Sequence, residues 1–293
     1  MNILDIFRLK GIKSSTKIGI GLGGSEDQLK KILEASKRFL QTHESNIVLF
    51  VHKSISSKLF NHPLFLSLKH KFSIIECEEP EKEIIRFLKS GDIKAVIRGN
   101  LSSHKFLINL KTMLNIEEIN RLALLETFNG YQFFFGPVGI DESNNIKEKI
   151  NFIENALHLF EIISLKPEIS ILSGGRVDDI GRDHRVDETI NNATEIVKIF
   201  RDKYELLKIN HNQILIESAV KGNANLIIAP DGISGNLIYR TLVHLGGGKA
   251  YGAIYMGINN VVIDTSRVGS ESEIYGALII ALALTKLKKN LDC

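Results

Sequence analysis

Short apolar runs alternate with longer amphipathic stretches along nearly the whole chain, and this alternation most constrains what the chain can fold into. A strand buried on both faces reads as one apolar run. A helix covering a sheet repeats its apolar residues at steps of three and four. Together they predict parallel strands with helices between them, an α/β fold. Strands are expected at Lys17–Leu22, Asn46–Val51, Phe72–Glu76 and Ala95–Ile97. Pro80–Lys89 reads as a helix, with Pro80 suited to its first turn. Ser25 followed by Gln28 is a capping-box pattern, opening a helix lined by Leu29, Ile32, Leu33 and Leu40 and broken only by Ser36. Ile119–Phe128 and Tyr131–Phe135, joined by Asn129-Gly130, predict a hairpin.

A long helix over about Ile146–Ser164 buries Ile146, Ile150, Ile153, Leu157 and Phe160 on one face. A second α/β series follows: strand Glu168–Leu172, helix Asp187–Lys203, short strand Glu205–Ile209, helix Gln213–Lys221 and strand Leu226–Ala229. The stretch PDGISGN then reads as a loop into helix Leu237–Leu245, before strands near Ala253–Met256 and Val261–Asp264 and a last helix, Ser272–Lys289. Two α/β series without a long linker predict two domains with mostly parallel sheets and a ligand cleft between them.

Composition removes several classes of function. The net charge is +3 over 293 residues with both signs mixed, so no basic arm suggests nucleic acid. Cys77 and Cys293 lie far apart, and no CxxC or HExxH pair is present. Neither a metal site nor a disulfide framework is indicated, which fits a reducing cytoplasm. The N-terminus has no apolar run of signal-peptide length, and the most apolar stretch, Tyr275–Leu287, falls short of the ~20 residues a membrane span needs. A cytoplasmic protein is expected.

Three glycine-bearing loops follow strands. Glycine lets the backbone approach an anion, and a helix start offers unpaired N–H groups to it. Gly19 to Gly24 matches GxGxxG, but Gly19 and Gly21 lie inside the strand and no acidic residue closes the second strand, so a tight turn is the better reading. The second loop, Ser173-Gly174-Gly175-Arg176 through Asp183, is either an anion site or a solvated loop pairing its own charges. In the third, Pro230 through Arg240 to Gly248, helix capping explains one or two residues but not Asp231 and Asn236 together. Arg98 and Arg176, each after a buried strand, are the favoured anion-binding cations, and the lone His184 is more readily a solvated loop histidine.

PDGISGNLIYRTLVHLGGG, then YGAIYMGINNVVIDTSR, resembles the closing signature of the phosphate acetyltransferase and butyryltransferase superfamily. AVIRGNLSSHKFL and ISILSGGRVDDIGRD stand where that family has its earlier strand-end loops. The wording of SGGRVDDIGRDHRVDETINNATEI is most similar to the methanogen branch called MtxX, a methanogenesis marker group labelled as a methyltransferase subunit. The resemblance implies a phosphate acyltransferase-like fold of the isocitrate/isopropylmalate dehydrogenase-like superfamily. It further implies a discontinuous first domain, 1–140 with 257–293, and a second domain, 141–256.

By the same resemblance, Ser266 and Arg267 would hold an anion and Glu273 would act on a thiol. Arg98, Gly99, Ser102, Ser103, Ser173, Gly174, Gly175, Arg176, Asp231, Gly235, Asn236 and Arg240 would line the substrate site. Glu273 stands for the family's aspartate, Val268 for its glycine and Arg240 for its lysine, and all three changes fall at the site. Glu273 is also placed to favour the start of the last helix through the helix dipole. No tightly bound cofactor and no metal are expected; coenzyme A or a phosphorylated ligand would be the small anionic substrate. A corrinoid protein or methyltransferase subunit would be the partner of a homodimer. Methyl transfer, phosphate acyl transfer and ligand sensing without turnover stand as three readings. The lack of a cofactor fingerprint argues against a fourth, a dehydrogenase.

Overall fold

The computed structural model describes residues 2–23 and 26–291. The chain forms two compact units, Met1–Ile119 with Ala250–Cys293, and Asn120–Lys249. The sequence reading set these boundaries at 140/141 and 256/257. The hairpin assigned there to the first domain belongs, by its contacts, to the second unit.

The first unit contains α1 (Ile3–Gly11), β1 (Lys17–Leu22), α2 (Glu26–Leu40), β2 (Asn46–His52), α3 (Lys53–Phe60), α4 (Pro63–Leu68), β3 (Phe72–Cys77), α5 (Pro80–Ser90), β4 (Ala95–Ile97) and α6 (Ser103–Leu114). The second contains β5 (Asn120–Glu126), β6 (Gln132–Gly136), α7 (Ile146–Ile162), β7 (Glu168–Leu172), α8 (His184–Lys203), β8 (Lys208–Gln213), α9 (Ile216–Lys221), β9 (Leu226–Ile228) and α10 (Gly232–His244). The chain then returns to the first unit with β10 (Lys249–Met256), β11 (Val261–Asp264) and α11 (Glu271–Leu291).

In the first unit the strands run β3-β2-β1-β4-β11-β10, parallel except for β10 against β11. In the second they run β5-β6-β9-β7-β8, with β5–β6 the antiparallel hairpin and the remainder parallel. β1, β2, β4 and β11 are buried almost throughout, which is why they read as unbroken apolar runs. α2 buries Leu29, Ile32, Leu33 and Leu40 as its periodicity requires. Ser36, the break in that stripe, is fully buried with no partner for its hydroxyl among the described residues. Of the capping box, Ser25 lies outside the described residues. α5 starts on Pro80 and stops at Gly91 in the left-handed region.

Two elements differ from expectation where it matters for function. α10 begins at Gly232, not Leu237, so the glycine-rich stretch is the helix's first turn. Propensity misled here, because two glycines argue against a helix start unless something must come very close. β8 covers Lys208–Gln213 where Glu205–Ile209 was expected. It is an edge strand whose polar residues, Asn210 to Gln213, hide it from an apolar-run search.

Candidate functional site

At the carboxyl ends of β1, β4 and β11 the first unit gathers seven residues marked in the sequence. Gly99 has φ +63, and a Cβ on it would fall on the carbonyl oxygen of Gly21. Only glycine lets the ends of β1 and β4 approach this closely. Asn100 then ties across, its Oδ1 accepting from the Gly23 N–H at 2.7 Å while its amide donates to the Gly23 carbonyl. Arg98 does not face a ligand. It is 4% exposed, paired with Asp264, and donates to the carbonyls of Thr265 and, at 2.6 Å, Leu101. Sequence alone could not distinguish an outward arginine from one turned back into the sheet. Ser102 caps α6, its Oγ accepting from the Lys105 N–H, and Ser103 is the helix's first residue.

The Ser266–Arg267 turn rests on this knot. Glu273 is 2% exposed and lies beneath the turn, its Oε1 accepting from the Ser266 N–H at 2.7 Å. The Thr265 hydroxyl donates to the Gly99 carbonyl at 3.0 Å. The Gln28 amide, oriented with its nitrogen toward the turn, donates to the Arg267 carbonyl at 3.2 Å. Ser266 Oγ accepts from the Val268 N–H at 3.3 Å. Above this bracing Arg267 is exposed, and its guanidinium has no ion pair or hydrogen bond among the described residues. An open planar fork beside a hydroxyl, on a turn held from below, is suited to a phosphoryl or carboxylate group. Val268, 57% exposed, has φ outside the left-handed region, so the residue that replaces the family's glycine carries no strain there.

In the second unit the α10 turn has a different use. A Cβ on Gly232 would fall on the Gly139 carbonyl oxygen, and one on Gly235 on that of Pro137. Both glycines face the protein's own backbone. Asp231 caps the helix, its Oδ1 accepting from the Ser234 N–H at 2.7 Å, and the Asn236 amide donates to the Val138 carbonyl at 2.9 Å. Capping accounts for Asp231 and packing for Gly235 and Asn236, so capping alone does not explain Asp231 and Asn236 together. Arg240 is exposed on the same helix.

β7 is followed by Ser173, Gly174, Gly175 and Arg176. Ser173 is 1% exposed, and Oγ lies 2.8 Å from the Gly175 carbonyl oxygen and 2.9 Å from His211 Nε2. The Gly174 N–H donates to Thr189 Oγ1 at 2.8 Å. Asp179 accepts from the Arg176 N–H and pairs with Arg182, so this loop does pair part of its own charge. His184 is exposed at the start of α8.

Sequence reasoning passed over three features. His211 lies on the polar edge strand, and burial lowers its imidazole below the ordinary range, favouring the neutral ring. Arg121 and Glu142 form a buried pair at 2.6 Å, with Glu142 also accepting from the Arg121 and Gly139 N–H groups. Lys149 is 4% exposed, and its ammonium makes no hydrogen bond or ion pair among the described residues. Burial pushes its ammonium down against the pull of Asp231 and Glu188. A run of polar residues in a strand, or a lysine on the buried face of a helix, was the available signal. Cys77 is half-buried, and burial raises its thiol to about 11, which keeps it unreactive.

Residues 84–282 match the family described as "Phosphate acetyl/butaryl transferase". The chain is 37% identical to the "Putative methyltransferase mtx subunit X" of Methanosarcina mazei over 98% of this chain and 96% of that protein. It is 38% identical to an uncharacterized methyltransferase of Methanocaldococcus jannaschii, over 72% of this chain and 87% of that protein. Among solved structures, a phosphotransacetylase from Streptococcus pyogenes superposes with a TM-score of 0.71 at 18% identity, covering 97% of this chain and 99% of that one. At that identity the likeness establishes fold, and the α/β class expected from the sequence stands. With the family matched over more than half of its length, the chain belongs to the phosphate acetyl- and butyryltransferase family.

Proposed function

We propose that this protein is a transferase component of the kind its mtx-named relatives are named for, and that it holds the anionic part of its substrate on the Ser266–Arg267 turn. The observation carrying this reading is the open guanidinium of Arg267 above a turn braced by Glu273, Gln28 and Thr265. A preorganised fork loses little freedom on binding, so it favours planar or tetrahedral oxyanions over other ligands. A phosphorylated ligand or coenzyme A is the occupant assigned here. The names of the relatives supply methyl transfer as the chemistry. The proposal adds a corrinoid protein or methyltransferase subunit as partner, and a homodimer as the assembly.

Phosphate acyl transfer is the second reading, favoured by the Ser–Arg pair in a chain of this family. Coenzyme A thiolate would attack an acyl phosphate, a thioester would form, and Arg267 would keep the departing phosphate. Glu273 is assigned to bracing in either reaction, because its carboxylate is engaged beneath the turn.

Purified protein mixed with butyryl-coenzyme A and phosphate, with free thiol followed, separates the readings. Thiol release that disappears in Arg267→Ala supports acyl transfer. No release, together with phosphate binding lost in Arg267→Ala and co-purification of a corrinoid protein, supports the methyl-transfer reading. Binding of phosphate or coenzyme A that is unchanged in Arg267→Ala overturns the assignment of the turn.

A further inference from the structure

We propose that Ser173, His211 and Thr194 form a reactive centre in the second unit, in which Ser173 takes an acyl group from an apolar ester or thioester. The three side chains make one chain of contacts. Ser173 Oγ is 2.9 Å from His211 Nε2, and His211 Nδ1 is 3.4 Å from Thr194 Oγ1, which donates to the Ile190 carbonyl at 2.9 Å. The Ser173 proton has two acceptors in reach, the Gly175 carbonyl at 2.8 Å and the imidazole. With the ring proton on Nδ1, directed at Thr194, the Nε2 lone pair is left for the serine. That is the geometry of a nucleophile, its base and a group that orients the base.

The backbone is irregular at this point. Ile171 pairs with His211 but Leu172 pairs with Gln213, so Asn212 is an extra residue in β8. Gln213 has φ +57, a left-handed conformation that costs a non-glycine residue stability. Such bulges re-aim side chains. This one is fixed from several sides: Ser170 Oγ donates to Asn212 Oδ1 at 2.9 Å, the Ser173 N–H to the Gln213 carbonyl at 2.9 Å, and the Val177 N–H to Gln213 Oε1 at 3.3 Å.

The surroundings set the substrate class. Val177, Ile180 and Ile214 are each about half exposed on the segments that flank Ser173 and His211, a rim suited to an apolar acyl chain. The Gly175 N–H makes no hydrogen bond among the described residues and is a donor for a developing oxyanion. Exposed Arg176 adds positive charge beside it. In the reaction, Ser173 Oγ attacks the carbonyl carbon and its proton passes to His211 Nε2. The bond from that carbon to sulfur or oxygen breaks, and the leaving thiolate or alkoxide takes the proton back from the imidazolium. The acyl group remains as an ester on Ser173 until a water, deprotonated by the same ring, attacks its carbonyl carbon; the bond to Ser173 Oγ then breaks, Oγ takes the proton from the imidazolium, and the carboxylic acid leaves.

The test is incubation of the intact chain with 4-nitrophenyl butyrate, following nitrophenolate and mapping the acylated residue by peptide mass spectrometry. One butyryl group on Ser173 is expected, absent in Ser173→Ala. His211→Gln should slow acylation by about 100-fold or more. Thr194→Val should slow it several-fold and Thr194→Ser should restore it, a rescue that simple loop packing would not produce. Ser173→Cys, which keeps a nucleophile, should still be labelled at position 173, so loss in Ser173→Ala cannot be put down to misfolding. Labelling confined to lysines, or a rate unchanged in Ser173→Ala or His211→Gln, overturns the proposal and leaves the trio as a staple between the loop and β8.

Discussion

The turn after β11 and the turn after β9 carry the same kind of sequence signal, small polar residues and glycine at a strand's carboxyl end with an arginine close by, yet the protein uses them differently. In the first, supporting groups lie underneath and the arginine points out: Glu273, Thr265 and Gln28 brace a turn whose guanidinium is unengaged. In the second, Asp231, Ser234, Asn236 and both glycines serve the protein itself, and Arg240 lies exposed further along the helix. Asp231 caps α10, Asn236 holds the Val138 carbonyl, and Gly232 and Gly235 admit the 137–139 backbone. A loop built to bind leaves donors unsatisfied, whereas a loop built to pack satisfies them. Both arrangements demand glycine and small polar residues, so composition alone cannot separate them.

The comparison is open to attack first at Arg98, the foundation of the first turn. Arg98→Ala leaves the buried Asp264 carboxylate without its cation, and a loss of roughly 3–5 kcal/mol is expected by urea denaturation. A loss under about 1 kcal/mol would mean that the knot beneath the turn is not structural. The corresponding change in the second turn is Gly232→Ala. Its methyl group would land on the Gly139 carbonyl, so the helix must shift, at a cost of about 1–3 kcal/mol. If Gly232→Ala were instead as stable as the parent and had lost a ligand, the second turn would be a binding loop after all.

These cases show what the sequence made legible. Strand order along the chain, the hairpin at Asn129-Gly130 and the burial of α2 and α5 follow from period and turn chemistry, which are local properties. The direction of Arg98 does not, because it depends on Asp264, a partner 166 residues away. The start of α10 was misplaced for a similar reason. Gly232 and Gly235 are unfavourable to a helix in isolation, and only the backbone against which they pack accounts for them. His211 escaped notice because edge strand β8 buries little and so lacks the apolar pattern that reveals the others.

Lys149 sharpens the contrast at a smaller scale, since Asp231, the cap of α10, acts on its ammonium. Burial holds its folded pKa below the ordinary 10.5. Between the folded value and 10.5 the unfolded chain binds a proton that the folded chain has released, so stability rises with pH through that window and is lowest beneath it. Lys149→Met should abolish this slope and be neutral or stabilising near pH 7. Denaturation curves of parent and variant at several alkaline pH values test it. A slope that survives the substitution would place its origin elsewhere.

Arg267→Ala should have the smallest effect on stability and is the sharpest test of the difference between the turns. The side chain is exposed and contributes no hydrogen bond to the fold, so its removal should leave the denaturation midpoint in place. Binding should respond. A charge-assisted arginine contact is worth about 1.5–3 kcal/mol, so affinity for phosphate should drop by roughly 10- to 150-fold. Calorimetric titration of parent and variant, at low and at moderate salt, measures this. Salt should weaken the parent's binding and have much less effect on the variant's, because the charge being screened is gone. The second turn makes the opposite prediction: Asn236→Ala should lower stability and leave phosphate affinity as it was. A variant pair in which both changes lowered stability, or both lowered affinity, would show that the two turns do not divide packing from binding in this way.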